Sequence, residues 1–600
     1  MEQKILTEIH IEGKEILHFS KLIIHQRFNE HHEFELNVNH DTFELMGSYR
    51  ADRSRELISK RIAIVLTDSI TGSQTRFAGI IFEISMQQGH GFHGEVLLRG
   101  YSSSILLDSG PGLKSFKGKT LQEIADKLTA GIPKNDIKLA IKPGYTSSIP
   151  YMTQYKESAF SFLNRLSSEY GEWLYYEADT LYFGKPAKQE EVNLVYGQDL
   201  HNLNWAMKVA PVNFGHYSYN SAQHELNTSK ATDTVEGADE QTNFALARSK
   251  GLYSDTFDLP AGPRVQNKKE LDDLLKRRKS AVAADLVVIK GHSRNPGVNL
   301  GAIANIEVSR KELLDFVKES YGSYLITEVT HFIDGNNRYT NDFSAIPATS
   351  EVVPVKNASY PVAESQVAKV VANHDPDGQS RVQVKMLWQK DDEVTDWIRV
   401  LQPDAGSGDV IGKNRGFFLI PEIDDQVIIG FRYNDPNRPF VMGSIYHSQN
   451  TDSSTQSSNH LKSLSTRSGH IIEFNDSKGA QGITITDQNN NIIHIDTQGN
   501  NITITALETI TFNSKNMKIN VEENMDVVVG KDKKETISEN FDLQAKNMKS
   551  TVTENTDHVT GKKLQHIAGE MTMHTNDGKI LIDGTGKVTL QSKDRIDYGE

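Results

Sequence analysis

Between residues 515 and 562 the chain repeats itself. KNMKINVEENMDVVVGK (515–531) aligns with KNMKSTVTENTDHVTGK (546–562) at a spacing of 31, and VEENMDV, ISENFDL and VTENTDH set Asn524, Asn540 and Asn555 at steps of 16 and 15. Val521 and Gly530 recur as Val552 and Gly561. Strands of about eight residues with a turn after each produce such numbers, and fixed-period similarity in β-rich sequence specifies stacked layers rather than a globule. Upstream, Ile483-Thr-Ile-Thr and Ile502-Thr-Ile-Thr alternate, placing one apolar row on one face. A layer with a single inward row of Val, Ile and Met buries little surface alone and leaves its edges unpaired. Three chains wound about one axis would pair each strand with strands of the other two and bring the rows together. Roughly 125 residues in such strands make about 15 layers, or about 70–80 Å at about 4.8 Å each. The expectation for 469–590 is a triple-stranded, intertwined β-helical needle, with 591–600 as its tip.

Composition narrows what the needle is attached to. Six hundred residues without cysteine exclude disulfides, thiolate catalysis and thiolate metal sites. A formal charge of −14 argues against a general nucleic-acid or anionic-membrane binder, which needs a net basic face. No run approaches 18 apolar residues, and MEQKILTEIHIEGKEILHFS lacks the cationic start and apolar core of a secretory signal. The chain is therefore expected to be made in the cytoplasm and to leave it, if at all, by another route.

The first 350 residues mix strands such as RIAIVL (61–66), GEVLLRG (94–100) and YLITEVTHF (324–332) with helices. Thr120 and Glu123 form a capping-box pattern ahead of Leu121, Ile124, Ala125 and Leu128. Ala159, Phe162, Leu163, Leu166 and Tyr170 mark one helical face that stops at Gly171. Asn267 and Glu270 cap NKKELDDLLKRRKSAVAAD. These helices read as scaffolding. From about 366, short strands separated by DPDG, PDAGSG, IDD and NDPNRP suit a small barrel of the OB kind, with Val382, Val384, Met386 and Trp388 on its inner face. A polar, Ser-rich linker is expected at 448–468.

Familiar chemistries fail on spacing. GPGLKSFKGKT (110–120) has Leu113 where a phosphate loop needs glycine, and DQNNN (487–491) continues to Ile492 and Gln498 where a calcium loop needs glycine and glutamate. No H-E-x-x-H or G-x-S-x-G occurs, and Asp391-Asp392 and Asp424-Asp425 lie in turns. The expectation is no enzyme, no cofactor and no metal.

The stretch DPDGQSRVQVKMLWQ to PFVMGSIYHSQN resembles the barrel domain of the VgrG family, the spikes of type VI secretion systems, which is similar to the central spike of contractile phage tails. The matching residues include Gly378, Trp397, Pro403, Gly406, Gly416, Pro421, Pro436, Pro439 and Gly443, with Asp435 and Arg438 in the same turn. YKESAFSFLNRLSSEYGEWLYYE and GHSRNPGVNLG resemble the hub of that family. Two positions depart from it: Asp404 stands where an aromatic is common, and the turn before Gln426 lacks glycine. The resemblance implies a mainly β chain with minor α: an α+β hub at 1–355 with barrel-like subdomains, an OB-fold barrel at 366–447, and then the needle. It also implies a homotrimer whose hub meets a hexameric Hcp-like tube protein and baseplate proteins. A PAAR-type cap would sit at the tip near Leu590, Ile596 and Tyr598, and effector cargo would travel with the spike. The assembly would be exported by a contractile machine, touching the target membrane transiently. Neither an enzyme between barrel and needle nor an effector after the needle is expected. Repeats alone leave open a trimeric β-helical polysaccharide-degrading tailspike, and the divergence leaves open the hub of a phage-like or extracellular contractile particle.

Overall fold

The computed structural model describes residues 5–45, 50–70, 72, 74–88, 94–312, 315–451 and 458–597. The chain forms two compact units, 1–462 and 463–600.

In the first unit the organising element is a thirteen-stranded sheet. Its second half closes on itself: Ile303–Glu312, Glu191–Tyr196, Leu200–Met207, Val287–Ser293, Tyr339–Pro347 and Asp315–Asp334 pair in that order, and the last pairs back with the first. Its first half, built from strands between Ile5 and Ser102, joins through the ladder from Glu328↔Arg27 to Asp334↔Lys21. Alternation explains both cores. Ile62, Ile64 and Leu66 point inward in the first half, and Ala304 and Ile306 in the second, while their neighbours face out. The barrel-like subdomains expected of the hub are thus present.

Among the described residues there are four α-helices, α1 (Leu121–Thr129), α2 (Ala159–Tyr170), α3 (Glu240–Leu252) and α4 (Lys268–Ala284); α3 touches this sheet, and the others pack chiefly on smaller sheets beside it. The capping box at Thr120 and Glu123 is formed in full, and Asn267 accepts from the Glu270 amide at the start of α4. Gly171 ends α2 in the left-handed conformation at φ 70°. The sequence placed one apolar face on α2. Instead the helix is buried nearly all round, including Asn164, Arg165 and Glu169.

Residues 366–444 form the small barrel. Gln383–Met386, Gln366–Ala372, Gln426–Phe431 and Pro439–Ser444 pair in that order. The segment 398–401 closes the ring through Val382↔Ile398 and Val400↔Val441. Val382, Val384, Met386, Val427, Ile429 and Val441 fill it. In the turn before the barrel strand at 383, Asp375 accepts from the Arg381 guanidinium at 2.8 Å and from the amides of Asp377, Gln379 and Arg381, and Gly378 turns at φ 64°.

The second unit begins in a five-stranded meander: Leu461–Ser465, Ile471–Asn475, Gly482–Thr486, Ile492–Asp496 and Asn501–Thr505. Its first strand lies inside the segment expected as linker. The strands pair in sequence within one chain, which corrects the expectation of interchain pairing in this part. The cause is turn chemistry. Asn475 caps Ser477, Asp487 accepts from the amides of Asn489 and Asn491, and Asp496 accepts from those of Gln498 and Gly499. Each strand therefore folds back on the one before. From 506 to 597 the described residues form neither strand nor helix within the chain, although eight-residue strands were expected there. Val521, Val552, Asn524, Asn540, Asn555, Gly530 and Gly561 are all exposed in this stretch.

Candidate functional site: a latched barrel and an open apolar face

Two features stand out. The first is the dock between barrel and hub. The NDPNRP turn joins two antiparallel barrel strands as its turn formers predict, and its Pro436, Asn437 and Arg438 are also buried against the hub. The Thr153 amide donates to Asn437 Oδ1 at 2.8 Å, and the Thr153 hydroxyl donates to the Pro436 carbonyl at 3.4 Å. Arg438 reaches the carbonyls of Ala261, Gly262 and Pro263 between 2.5 and 3.3 Å, while Asp435 holds its Nε at 2.9 Å. Burial pushes the Asp435 carboxyl up, opposed by Arg438. A guanidinium can grip several carbonyls because its donors form a rigid fork. Around it, Gln389 donates to Ser115 at 2.6 Å and Arg264 pairs with Asp396 at 3.0 Å. Sequence reasoning missed the hub half of this dock, since nothing in Thr153 or Ala261–Pro263 marks them.

Behind the dock lies Arg165, about 1% exposed, between Glu157 at 2.7 Å and Glu169 at 3.1 Å, with Nη2 donating to the Thr153 carbonyl at 2.9 Å. Burial raises the Glu169 carboxyl's pKa, and Arg165 opposes the shift. The cluster therefore fixes the strand on which the barrel rests. Replacing Arg165 by Met leaves two buried carboxylates unpaired and should cost about 3–5 kcal/mol. Urea unfolding of the full chain checks this, and an unchanged midpoint for the first unit contradicts it.

The other family-matching residues are not gathered into one place. Gly416 turns at φ 101° where a side chain would collide with the Asp404 carbonyl, and Gly406 pairs with Arg415. Trp397 is partly buried, Pro421 is buried, Pro439 and Gly443 lie on the last barrel strand, and Pro403 is exposed. Both departures have partners. Asp404 accepts from Arg415 at 2.8 Å, and Asp424 takes the left-handed conformation at φ 79° while pairing with Lys369 at 2.8 Å.

The second feature is the meander's apolar face. Register puts Ile472 opposite Ile485 and Phe474 opposite Ile483, then Ile483 opposite Ile495 and Ile485 opposite Ile493. Ile493 and Ile495 in turn face Ile504 and Ile502. Glu473, Thr484, His494 and Thr503 form the opposite, polar face. Seven residues of the apolar face, Ile472, Phe474, Ile485, Ile493, Ile495, Ile502 and Ile504, are 37–70% exposed, and Ile472, Ile485, Ile493 and Ile504 among them line a groove of about 510 Å³. Further along the chain Val521, Met525, Val552, Leu564, Leu590 and Ile596 are also exposed apolar residues. Tyr598 lies outside the described residues.

One catalytic-looking arrangement occurs. His31 contacts Ser104 Oγ at 2.8 Å through Nδ1 and Asp108 Oδ2 at 3.0 Å through Nε2. Ser104 is wholly buried, so no substrate reaches its hydroxyl, and the chain of bonds ties the 103–108 turn to the start of α2 through Ser158. Among the described residues no group of three or more His, Asp or Glu gathers as a metal site, and no helix is long and apolar enough to cross a membrane.

A base built on a closed sheet, a small closed barrel, and a meander with an open apolar face are the parts of a baseplate hub fused to a spike. Residues 27–337 match the phage tail baseplate hub (GPD) family, and residues 366–446 match the type VI secretion system/phage-baseplate injector OB domain. Relatives include the type VI secretion system spike protein VgrG1a of Pseudomonas aeruginosa, 24% identical over 467 residues, which are 70% of this chain and 68% of that protein. The actin cross-linking toxin VgrG1 of Vibrio cholerae is 24% identical over 62% of this chain but only 36% of its own length. A solved Francisella PdpA–VgrG complex, half-lidded, shares the fold at a TM-score of 0.54 and 10% identity, covering 84% of this chain and 88% of that one. The chain belongs to the phage tail baseplate hub family, as a VgrG-type spike protein of the type VI secretion and phage-tail kind.

Proposed function

We propose that the chain works as a homotrimeric puncturing spike, with the hub of 1–355 seated on an Hcp-like tube and baseplate proteins, the barrel of 366–447 as collar, and 469–590 as the shaft. The observation that carries this reading is the apolar face from Ile472 to Ile504, which one chain leaves open to water, with further exposed apolar residues from Val521 to Ile596. Two further copies would cover it. At about 25 cal/mol per Å² each half-exposed Ile or Phe contributes roughly 1–2 kcal/mol, on the order of 10 kcal/mol per chain for the meander alone. Beyond 506, strands without partners in their own chain would find them on the other two, and a ladder shared by three chains resists axial load. The C-terminal tip, with Leu590, Ile596 and Tyr598, would receive a PAAR-type cap. Cargo would ride on the assembly, which leaves the cell by sheath contraction and meets the target membrane only in passing. No catalytic step, cofactor or nucleic acid enters this function.

Truncation at residue 515 tests it. The hub and barrel should fold with an unchanged melting transition while export and delivery of cargo are lost. Delivery at the full-length level would show that the shaft is not the piercing element.

A further inference from the structure

α4 carries four consecutive cations, Lys276, Arg277, Arg278 and Lys279. At 100° per residue they leave the helix in four directions. Lys276 pairs with Glu236 at 2.6 Å, and Lys279 is buried and donates to the Val212 carbonyl at 2.8 Å. The two arginines between them have no carboxylate in ion-pairing reach among the described residues. Arg278 donates to His216 Nε2 at 2.6 Å and stacks over Phe214 at 5.2 Å. His216 therefore accepts at Nε2 and donates from Nδ1 to the Leu259 carbonyl at 3.0 Å, so it is neutral and brings no negative charge. Arg277 lies over the Tyr145 ring at 5.7 Å, and its Nε is buried without a hydrogen-bond partner.

Both arginines line one cavity of about 920 Å³ between α2, α4 and the extended segment 352–360. The carboxylates on its wall have cations of their own: Glu169 meets Arg165 through Oε1, with Oε2 left buried and unpartnered, and Asp285 meets Lys208 and, at 3.5 Å, Lys356. The cavity thus presents two unmatched guanidinium groups in a chain whose net charge is −14. Arg277 is half-buried and Arg278 is exposed at the mouth of the cavity, so an anion that accepts from both gains charge-assisted hydrogen bonds in a partly dry setting. The rest of the wall includes Val209, Pro211, Pro260, Pro263, Val352 and Pro354, which suits apolar side chains flanking the charge.

We propose that this cavity is a docking site for an acidic peptide segment of a partner protein, which places a carboxylate between Arg277 and Arg278 and lays neighbouring apolar residues against the proline-rich wall. The site lies in the hub, so it is independent of the trimeric shaft proposed above.

A fluorescein-labelled decapeptide alternating Glu with Val and Pro, read by anisotropy on the full chain, tests it. Binding should weaken at least tenfold for the double variant Arg277→Gln/Arg278→Gln and stay unchanged for Lys276→Gln, and the counterpart with Gln for Glu should not bind. In the unmodified chain, the peptide should protect Arg277 and Arg278 from phenylglyoxal, a readout that does not depend on the variant folding. Absence of binding, equal binding by the double variant, or no protection overturns the proposal. Displacement by equimolar inorganic phosphate overturns it too, since the site would then serve a free anion.

Discussion

Changing Ile493 to Asp should reduce the native mass of the protein from three times 67.1 kDa to 67.1 kDa. Ile493 stands in the middle of the meander's open face, paired with Ile485 on one side and Ile504 on the other. In a trimer its three copies would approach the common axis, where water is excluded. Burying an unpaired carboxylate costs several kcal/mol per copy, and three like charges near one another cost more. That exceeds the roughly 1–2 kcal/mol each apolar side chain contributes by being covered. Thr503→Asp is the matched control, because register puts Thr503 on the opposite face, beside His494. It should leave the mass unchanged. If Ile493→Asp keeps the threefold mass, the face is not where the copies meet.

Acidification should weaken the hub more than any single surface charge could. His32 and His331 are buried in one directional chain of hydrogen bonds. Asn341 Nδ2 donates to the Tyr339 hydroxyl at 3.0 Å, and that hydroxyl donates to His331 Nδ1 at 2.7 Å. His331 Nε2 donates to Gln26 Oε1 at 3.0 Å, and Gln26 Nε2 donates to His32 Nδ1 at 3.2 Å. The two links in which a ring nitrogen accepts, at His331 Nδ1 and His32 Nδ1, require neutral imidazoles. Burial pulls both histidines down to about 3, with His31 adding to the effect on His32. A histidine whose folded pKa lies below its unfolded value of about 6.5 gives full stability above that value and loses it as pH falls toward the folded pKa. From pH 7 to pH 5 each should cost about 2 kcal/mol, together about 4 kcal/mol. Urea midpoints at the two pH values measure the loss. His331→Asn should lower stability at pH 7 but remove about half of the pH dependence, and an unchanged slope would contradict the assignment.

Local chemistry was the most legible part of the sequence. The Thr120 capping box, the Gly171 stop, the Asn267 cap and the inward row Val382, Val384, Met386 all formed as their spacing requires, because each depends on neighbours within a few residues. What the sequence hid depends on distant partners. Arg165 sits on a helix whose pattern reads as an ordinary apolar stripe, and only the approach of strand 149–157 makes its position a buried ion-pair site. Arg438 belongs to a turn that any hairpin could use, and its carbonyl partners lie at 261–263. The meander was misjudged for a different reason. Alternating Ile and Thr mark a strand and its faces but not which chain supplies the partner strand. There the Asx turns at Asn475, Asp487 and Asp496 decide for hairpins within the chain. The two departures from the family pattern were visible as residues, whereas the pairing of Asp404 with Arg415 and of Asp424 with Lys369 was not.

Sedimentation velocity of the full chain at micromolar concentration tests most directly whether copies of the chain cover the open face of the shaft. A single elongated species at three times 67.1 kDa is the predicted result. A stable monomer with the Ile472–Ile504 face still open to solvent would contradict it.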